Sequence, residues 1–196
     1  MPVYHSLGKI PPKRHTIFRK PDGNLYAEEL VSTEGFSSTS SLVYHCYAPT
    51  LVKQIGEAYS VEPTVARDKH LRHTSLKGFK IVPEKDYLQS RKPILINDDL
   101  HISLAAPQES MQEYFFKNSS ADELIFVHEG IGNLHTGFGS LKFKYGDYII
   151  IPRGTIYQLE FDTEINRLLI VESFSPIHIP HRYTNKEGQL LEHSPY

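Results

Sequence analysis

From residue 94 onward the chain breaks into short runs rich in β-branched and aromatic residues. They fall at 94–97, 101–105, 113–117, 123–128, 133–136, 140–145, 147–151, 155–161 and 167–172. Turn residues separate most of them, at spacings of about 8 to 12 residues, which is the rhythm of an all-β sandwich or barrel. Alternation within a run assigns faces: Leu141, Phe143 and Tyr145 are expected on one side of a strand, with Lys142 and Lys144 on the other. Upstream the pattern is looser. Pro21-Asp22-Gly23-Asn24 is a turn signal that predicts a hairpin between Thr16-Ile17-Phe18 and Leu25-Tyr26-Ala27. Residues 32–41 read as a polar loop leading into a strand-like run, Leu42-Val43-Tyr44-His45. The stretch 52–92 suggests only a short helix near 64–72, because Pro63, Gly78 and Pro83 prevent a long one. Beyond Glu172 the signal fades into a tail punctuated by Pro176, Pro180 and Pro195. The expected organisation is therefore an N-terminal arm and irregular β-containing extension over 1–92, a barrel core over 93–175 and a tail over 176–196.

A chain of 196 residues can bury a real core without disulfides or metals. Lys and Arg number 21 against 23 Asp and Glu, so no overall charge drives the chain onto nucleic acid or an anionic membrane. Residues 1–20 do hold Lys9, Lys13, Arg14, Arg19 and Lys20 and no acid. With Phe18 the sole Phe, Tyr or Trp between those charges, they read as a surface segment that docks on an acidic body or another subunit. No run approaches the roughly 18 apolar residues of a membrane span, and residues 1–20 lack the apolar stretch of a signal peptide. Cys46 is the sole cysteine, which excludes an intramolecular disulfide framework and fits the cytoplasm. Its apolar surroundings predict an inert buried thiol.

Common catalytic patterns are missing: no G-x-S-x-G elbow, no phosphate loop and no H-E-x-x-H. Gly130, Gly132, Gly137 and Gly139 sit between β runs and read as hairpin turns. None of the 11 histidines has an acid two positions later, as a two-His, one-carboxylate iron site often does. His70 and His73, and His178 and His181, form pairs without a nearby third ligand. His128 and His135 flank a predicted hairpin and could approach each other. Surface or packing roles are expected for all of them.

One motif rises above this background. The segment Gly146-Asp147-Tyr148-Ile149-Ile150-Ile151-Pro152-Arg153-Gly154-Thr155-Ile156-Tyr157 resembles the second motif of the cupin family, in which Gly, five residues and Pro-x-Gly lead to a His. Glu123 and Gly130 match the end of the first motif, and the interval from Gly130 to Gly146 suits the short form of that fold. The resemblance implies a jelly-roll β-barrel. It also implies metal ligands from His-x-His, the Glu and the second-motif His. Here the first pair falls on Phe116 and Asn118, or on Lys117 and Ser119. The second-motif His is Tyr157 and a later Asn is Phe161, so only Glu123 is retained. Period-two reasoning puts Tyr157, Leu159 and Phe161 on one face, and Tyr114, Phe116 and Asn118 on one face of another strand. The volume for a metal is thus expected to be filled with rings. A lone buried carboxylate costs several kcal/mol unless it is bonded. Glu123 is therefore expected to reach solvent or to bond a polar neighbour such as Asn118 or the Tyr157 hydroxyl.

The flanks sharpen the resemblance. Tyr4-His5-x-Leu7-Gly8-Lys9-Ile10-Pro11-Pro12-Lys13-Arg14-His15-Thr16, Phe18-Arg19-Lys20-Pro21-Asp22-Gly23 and Leu25-Tyr26-Ala27-Glu28-Glu29-Leu30 resemble the N-terminus of bacterial homogentisate 1,2-dioxygenases. So do Thr33-Glu34-Gly35-Phe36-Ser37, Asp122-Glu123-Leu124-Ile125-Phe126-Val127-His128-Glu129-Gly130 and Tyr183-x-Asn185-x-x-Gly188-Gln189-Leu190-Leu191-Glu192-His193. The resemblance implies an Fe(II) enzyme that opens the homogentisate ring with O₂ to give maleylacetoacetate, in tyrosine and phenylalanine catabolism. It also implies a second, C-terminal half that holds the iron, and like subunits in a trimer or hexamer. On this reading the chain is the metal-free N-terminal portion, inactive alone, with a role in support and assembly. The tail then leads toward the C-terminal half. No catalytic, cofactor-binding or metal residue is assigned within it, and neither nucleic acid nor membrane is a partner. The alternative is a free-standing cupin that binds a small molecule without metal.

Overall fold

A computed structural model describes residues 17–32, 35–36, 40–48, 54–66 and 73–195 of the chain. It divides into two compact units, Met1–Val61 with His178–Tyr196, and Glu62–Ile177. Within the first, β1 (Ala27–Ser32) pairs antiparallel with β2 (Ser40–His45). The predicted turn forms: Gly23 N donates to Lys20 O at 2.9 Å and Lys20 N to Asn24 O at 2.8 Å. It closes a single bridge, Arg19 to Leu25, and not the longer hairpin expected there. Cys46 is exposed. This corrects the expected buried thiol, because β2 ends at His45 and the chain bends away immediately after it. In the tail, a 3-10 turn over His181–Tyr183 precedes a Thr184–Leu190 bridge.

The second unit is all-β with two brief helical turns. Its strands are β3 (Lys92–Ile96), β4 (Leu100–Ala105), β5 (Phe116–Lys117), β6 (Asp122–Glu129), β7 (Gly132–Thr136), β8 (Gly139–Phe143), β9 (Tyr148–Ile151), β10 (Ile156–Phe161) and β11 (Arg167–Ser173). Each falls on one of the nine expected runs. They form a five-stranded sheet, β3-β4-β11-β6-β9, and a four-stranded sheet, β5-β10-β7-β8, with every pairing antiparallel. From β4 to β11 the chain passes back and forth between the sheets, as in the expected jelly roll. The helical turns are a 3-10 turn at Gly78–Lys80 and α1 (Tyr87–Ser90). The helix expected near 64–72 is absent at 64–66, and the remainder of that segment lies outside the described residues.

The core between the sheets comes from alternate residues. Ile125 and Val127 of β6, Leu168 and Ile170 of β11, Ile149 and Ile151 of β9, and Tyr157 and Leu159 of β10 are buried together with Leu134, Phe143 and Met111. Of the expected face on β8, only Phe143 is buried. Leu141 is exposed because β8 is an edge strand, and Tyr145 falls in the turn after the strand ends. The Gly130 turn is likewise no hairpin, because it carries the chain from β6 in one sheet to β7 in the other. Gly132 shows why that crossing needs glycine: a Cβ there would lie 2.0 Å from the Glu160 carbonyl oxygen. Gly137 and Gly139 do close a hairpin, β7 to β8.

Candidate functional site

The site implied by the cupin motifs lies at one end of the barrel, where β6, β10 and β11 meet α1. Strand pairing sets Glu123 of β6 directly opposite Glu172 of β11, and Glu172 opposite His101 of β4. All three therefore share the inner face of the five-stranded sheet. Like charges opposed in this way repel, and here the repulsion meets a buried cation. Arg91, immediately after α1, donates from Nη1 to Glu123 Oε1 at 2.5 Å. Its Nη2 lies 2.9 Å from Glu172 Oε2, near enough for an ion pair although the angle makes no hydrogen bond. The Glu172 carboxylate also accepts from Asn118 Nδ2 at 2.8 Å, and His101 Nδ1 is 3.8 Å from it.

Tyrosines close the cluster. The Tyr157 hydroxyl donates to Glu123 Oε2 at 2.6 Å, so both oxygens of this fully buried carboxylate are engaged. Tyr87 of α1 is fully buried, its ring centroid 6.3 Å from that of Tyr157 and 5.7 Å from the Arg91 guanidinium carbon. Phe116 lies edge-on to Tyr157 at 5.6 Å. Burial pushes the Tyr87 phenol well above its ordinary range, with Glu123 adding to the rise and Arg91 opposing it. Burial likewise raises Tyr157, reinforced by Tyr87 and Glu123. For Arg91, burial disfavours the charge, but Tyr87, Glu123 and Glu172 outweigh it and hold the guanidinium firmly protonated.

The geometry of α1 explains how Arg91 arrives there. Asp86 caps the turn by accepting from Gln89 N at 3.0 Å, and the Tyr114 hydroxyl donates to the other Asp86 oxygen at 2.5 Å. The turn is thereby pinned beside Tyr114, and Tyr87 and Arg91 project into the barrel end. Of the sequence expectations, the Glu123–Tyr157 bond forms, while Asn118 turns to Glu172 instead. Arg91, Tyr87 and Glu172 escaped the sequence reading. Alternation of Leu168, Ile170 and Glu172 was a usable signal for the last, whereas nothing in residues 52–92 pointed to the other two.

The histidines do not assemble into a site. His128 lies on the outer side of β6 among Phe79, Phe126 and Tyr145. His135 on β7 bonds Ser140 and Glu160, each at 2.8 Å. Their strands belong to different sheets, so the expected approach between them does not occur. The His178 and His181 rings lie 5.4 Å apart, tilted by 44°, and His70 lies outside the described residues. Among the described residues, no group of three His, Cys, Asp or Glu could hold a metal ion.

The architecture and motif positions define the class: a cupin-type barrel in which a guanidinium binds the carboxylate that matches the cupin ligand set. The chain belongs to the family described as "Homogentisate 1,2-dioxygenase N-terminal", whose model matches residues 12–182. It is 38% identical over all 196 residues to a Saccharolobus solfataricus protein named "Putative dioxygenase SSO1533", of which it covers 50%. A Legionella pneumophila protein named "Homogentisate 1,2-dioxygenase" is 32% identical over 72 residues, 36% of this chain and 17% of that protein. The chain thus spans about half the length of the relative it matches throughout. Among solved structures, a cupin-2 domain protein of Shewanella frigidimarina superposes at a TM-score of 0.41 with 18% identity, over 48% of this chain and 87% of that one. Protein NMB1881 of Neisseria meningitidis does so at 0.43 with 13% identity, over 52% and 99%. The residues here do not fit a family iron. The imidazole positions hold Phe116 and Asn118, or Lys117 and Ser119, together with Tyr157, and Arg91 places a positive charge against the one matching carboxylate.

Proposed function

We propose that this chain is the metal-free barrel of a homogentisate 1,2-dioxygenase-like enzyme, inactive by itself and structural in role. Ring cleavage of homogentisate with O₂ to maleylacetoacetate, in tyrosine and phenylalanine catabolism, then belongs to an Fe(II) centre in a C-terminal catalytic half. On this reading the enzyme works in the cytoplasm, and like subunits complete a trimer or hexamer. The observation that carries the reading is the Arg91 guanidinium bound to Glu123 at 2.5 Å. It neutralises the only carboxylate retained from the cupin ligand set, and Tyr157 consumes that carboxylate's second oxygen. An Fe(II) placed there would meet a fixed positive charge and would compete with Arg91 and Tyr157 for the Glu123 oxygens. Iron content and homogentisate-dependent oxygen uptake on the purified chain test this. Neither stoichiometric iron nor oxygen uptake is expected, and finding both would overturn the proposal.

A further inference from the structure

Leu134 of β7, Phe143 of β8 and Leu159 of β10 are buried, so their alternate neighbours form the outer face of the four-stranded sheet. Three side chains on that face are linked in series. His135 of β7 meets no other histidine, but it bonds Ser140 of β8 through Nδ1 and Glu160 of β10 through Nε2, each at 2.8 Å. Strand pairing builds this line. Ser140 stands directly opposite His135. On the other side Glu160 pairs with Asn133, two residues before His135, so its carboxylate meets the ring diagonally.

These partners fix which nitrogen of the neutral ring carries the proton. A carboxylate only accepts, so Glu160 takes the protonated Nε2. Nδ1 is then the lone-pair nitrogen, and the Ser140 hydroxyl donates to it. A hydroxyl thus points its proton at a base that an acidic side chain orients, the relation of nucleophile, general base and orienting carboxylate in serine hydrolases. Relative to the common arrangement the two ring nitrogens are exchanged, but such triads are recognised by geometry and roles. Lys142, two residues beyond Ser140 on the same face, stands opposite Asn133. Among the described residues, neither the Lys142 ammonium nor the Asn133 side-chain amide has a hydrogen bond or ion pair. Both are donors of the kind that stabilises charge on an acyl oxygen. The line is open to solvent: the His135 and Glu160 side chains are 35% and 52% exposed, and Ser140 is exposed. An open face of this kind selects by the reactivity of the acyl group and not by its shape.

We propose that Ser140, His135 and Glu160 form an acyl-transfer site for small activated esters, an activity separate from ring cleavage. Ser140 Oγ attacks the ester carbonyl carbon while His135 Nδ1 takes the hydroxyl proton. The bond from that carbon to the leaving oxygen then breaks, and His135 returns the proton to the departing alcohol. A water that gives its proton to the same nitrogen cleaves the acyl-serine, releasing a carboxylic acid and restoring the Ser140 hydroxyl. Nothing is oxidised or reduced. Glu160 acts only through His135 and is a positioning residue. The inference does not rest on the dioxygenase reading, because ester cleavage and oxygen uptake are measured separately.

Two probes test the full chain: p-nitrophenyl acetate, which reports turnover by release of a coloured phenolate, and an alkyl fluorophosphonate, which caps an activated serine. Catalysed phenolate release is expected, and peptide mapping by mass spectrometry should place the phosphonate on Ser140. Ser140→Ala should abolish both. His135→Ala should slow both by about 100-fold, the contribution of a general base, and Glu160→Ala by roughly 10-fold, the effect of losing an orienting partner. Thermal melting checks that each variant folds, and His135→Gln replaces His135→Ala if the latter does not. Unchanged melting with slower labelling in Glu160→Ala is the sign of positioning, since a purely structural contact would not alter the reactivity of Ser140. Phosphonate absent from Ser140, or labelling as fast without His135 as with it, would overturn the proposal and reduce the line to a cross-strand polar contact. Labelling in Glu160→Ala as fast as in the unaltered chain would overturn the role given to Glu160.

Discussion

Arg91 is held where a sheet has forced two carboxylates together, and its removal would leave Glu123 buried and uncompensated. Breaking one side of a buried charge cluster costs about 3–5 kcal/mol, so Arg91→Ala should lower the unfolding free energy by that amount in urea titration. A loss below about 1 kcal/mol would mean that water already reaches the carboxylates. The neighbouring Tyr157 separates two contributions. Tyr157→Ala removes a fully buried ring and should cost about 3–5 kcal/mol. Tyr157→Phe keeps the ring and deletes only the bond to Glu123, for about 1–3 kcal/mol. Equal losses in the two variants would assign the whole effect to the hydroxyl and contradict a packed barrel end.

At the scale of elements, Asp122 ties three parts of the barrel. Its carboxylate opens β6 and accepts from the Arg153 backbone N–H at 3.0 Å, from Arg153 Nε at 3.1 Å and from the Ile177 backbone N–H at 2.7 Å. Burial alone would raise its pKa, but these donors hold it below the ordinary 3.8. A depressed carboxyl contributes stability that is present above its unfolded value and is lost as pH falls through the folded one. Acid unfolding should therefore begin below about pH 4, and Asp122→Asn should be less stable at neutral pH by about 1–3 kcal/mol with a shallower acid limb. Parallel acid limbs in the two proteins would place the acid sensitivity elsewhere. The elements themselves were largely legible, because period-two runs between turn residues mark strands wherever a sheet buries one side. The Gly130 turn was misread because local turn chemistry does not say which sheet the next strand joins. Arg91 and Tyr87 were hidden for another reason: α1 has four residues, too few to show a helical period. The ring-filled barrel end, in contrast, followed from the motif positions of Phe116 and Tyr157.

For the whole molecule, every buried apolar side chain among the described residues lies between Tyr87 and Ile170, inside the second unit. The β1–β2 pair has half-buried and exposed residues only, and a two-stranded hairpin of that kind is marginal alone. Amide hydrogen exchange should therefore report two levels of protection, with β6 and β11 exchanging orders of magnitude more slowly than β1 and β2. Uniform protection would mean that the hairpin gains stability from an assembly. The opposed pair Glu123 and Glu172 has a last consequence, for folding fidelity. A slip of one residue between β6 and β11 would turn Glu172 outward among leucines and draw Val171 in beside Arg91. An apolar strand that could slide among several alignments is thus proofread by a single guanidinium, which fits only one of them.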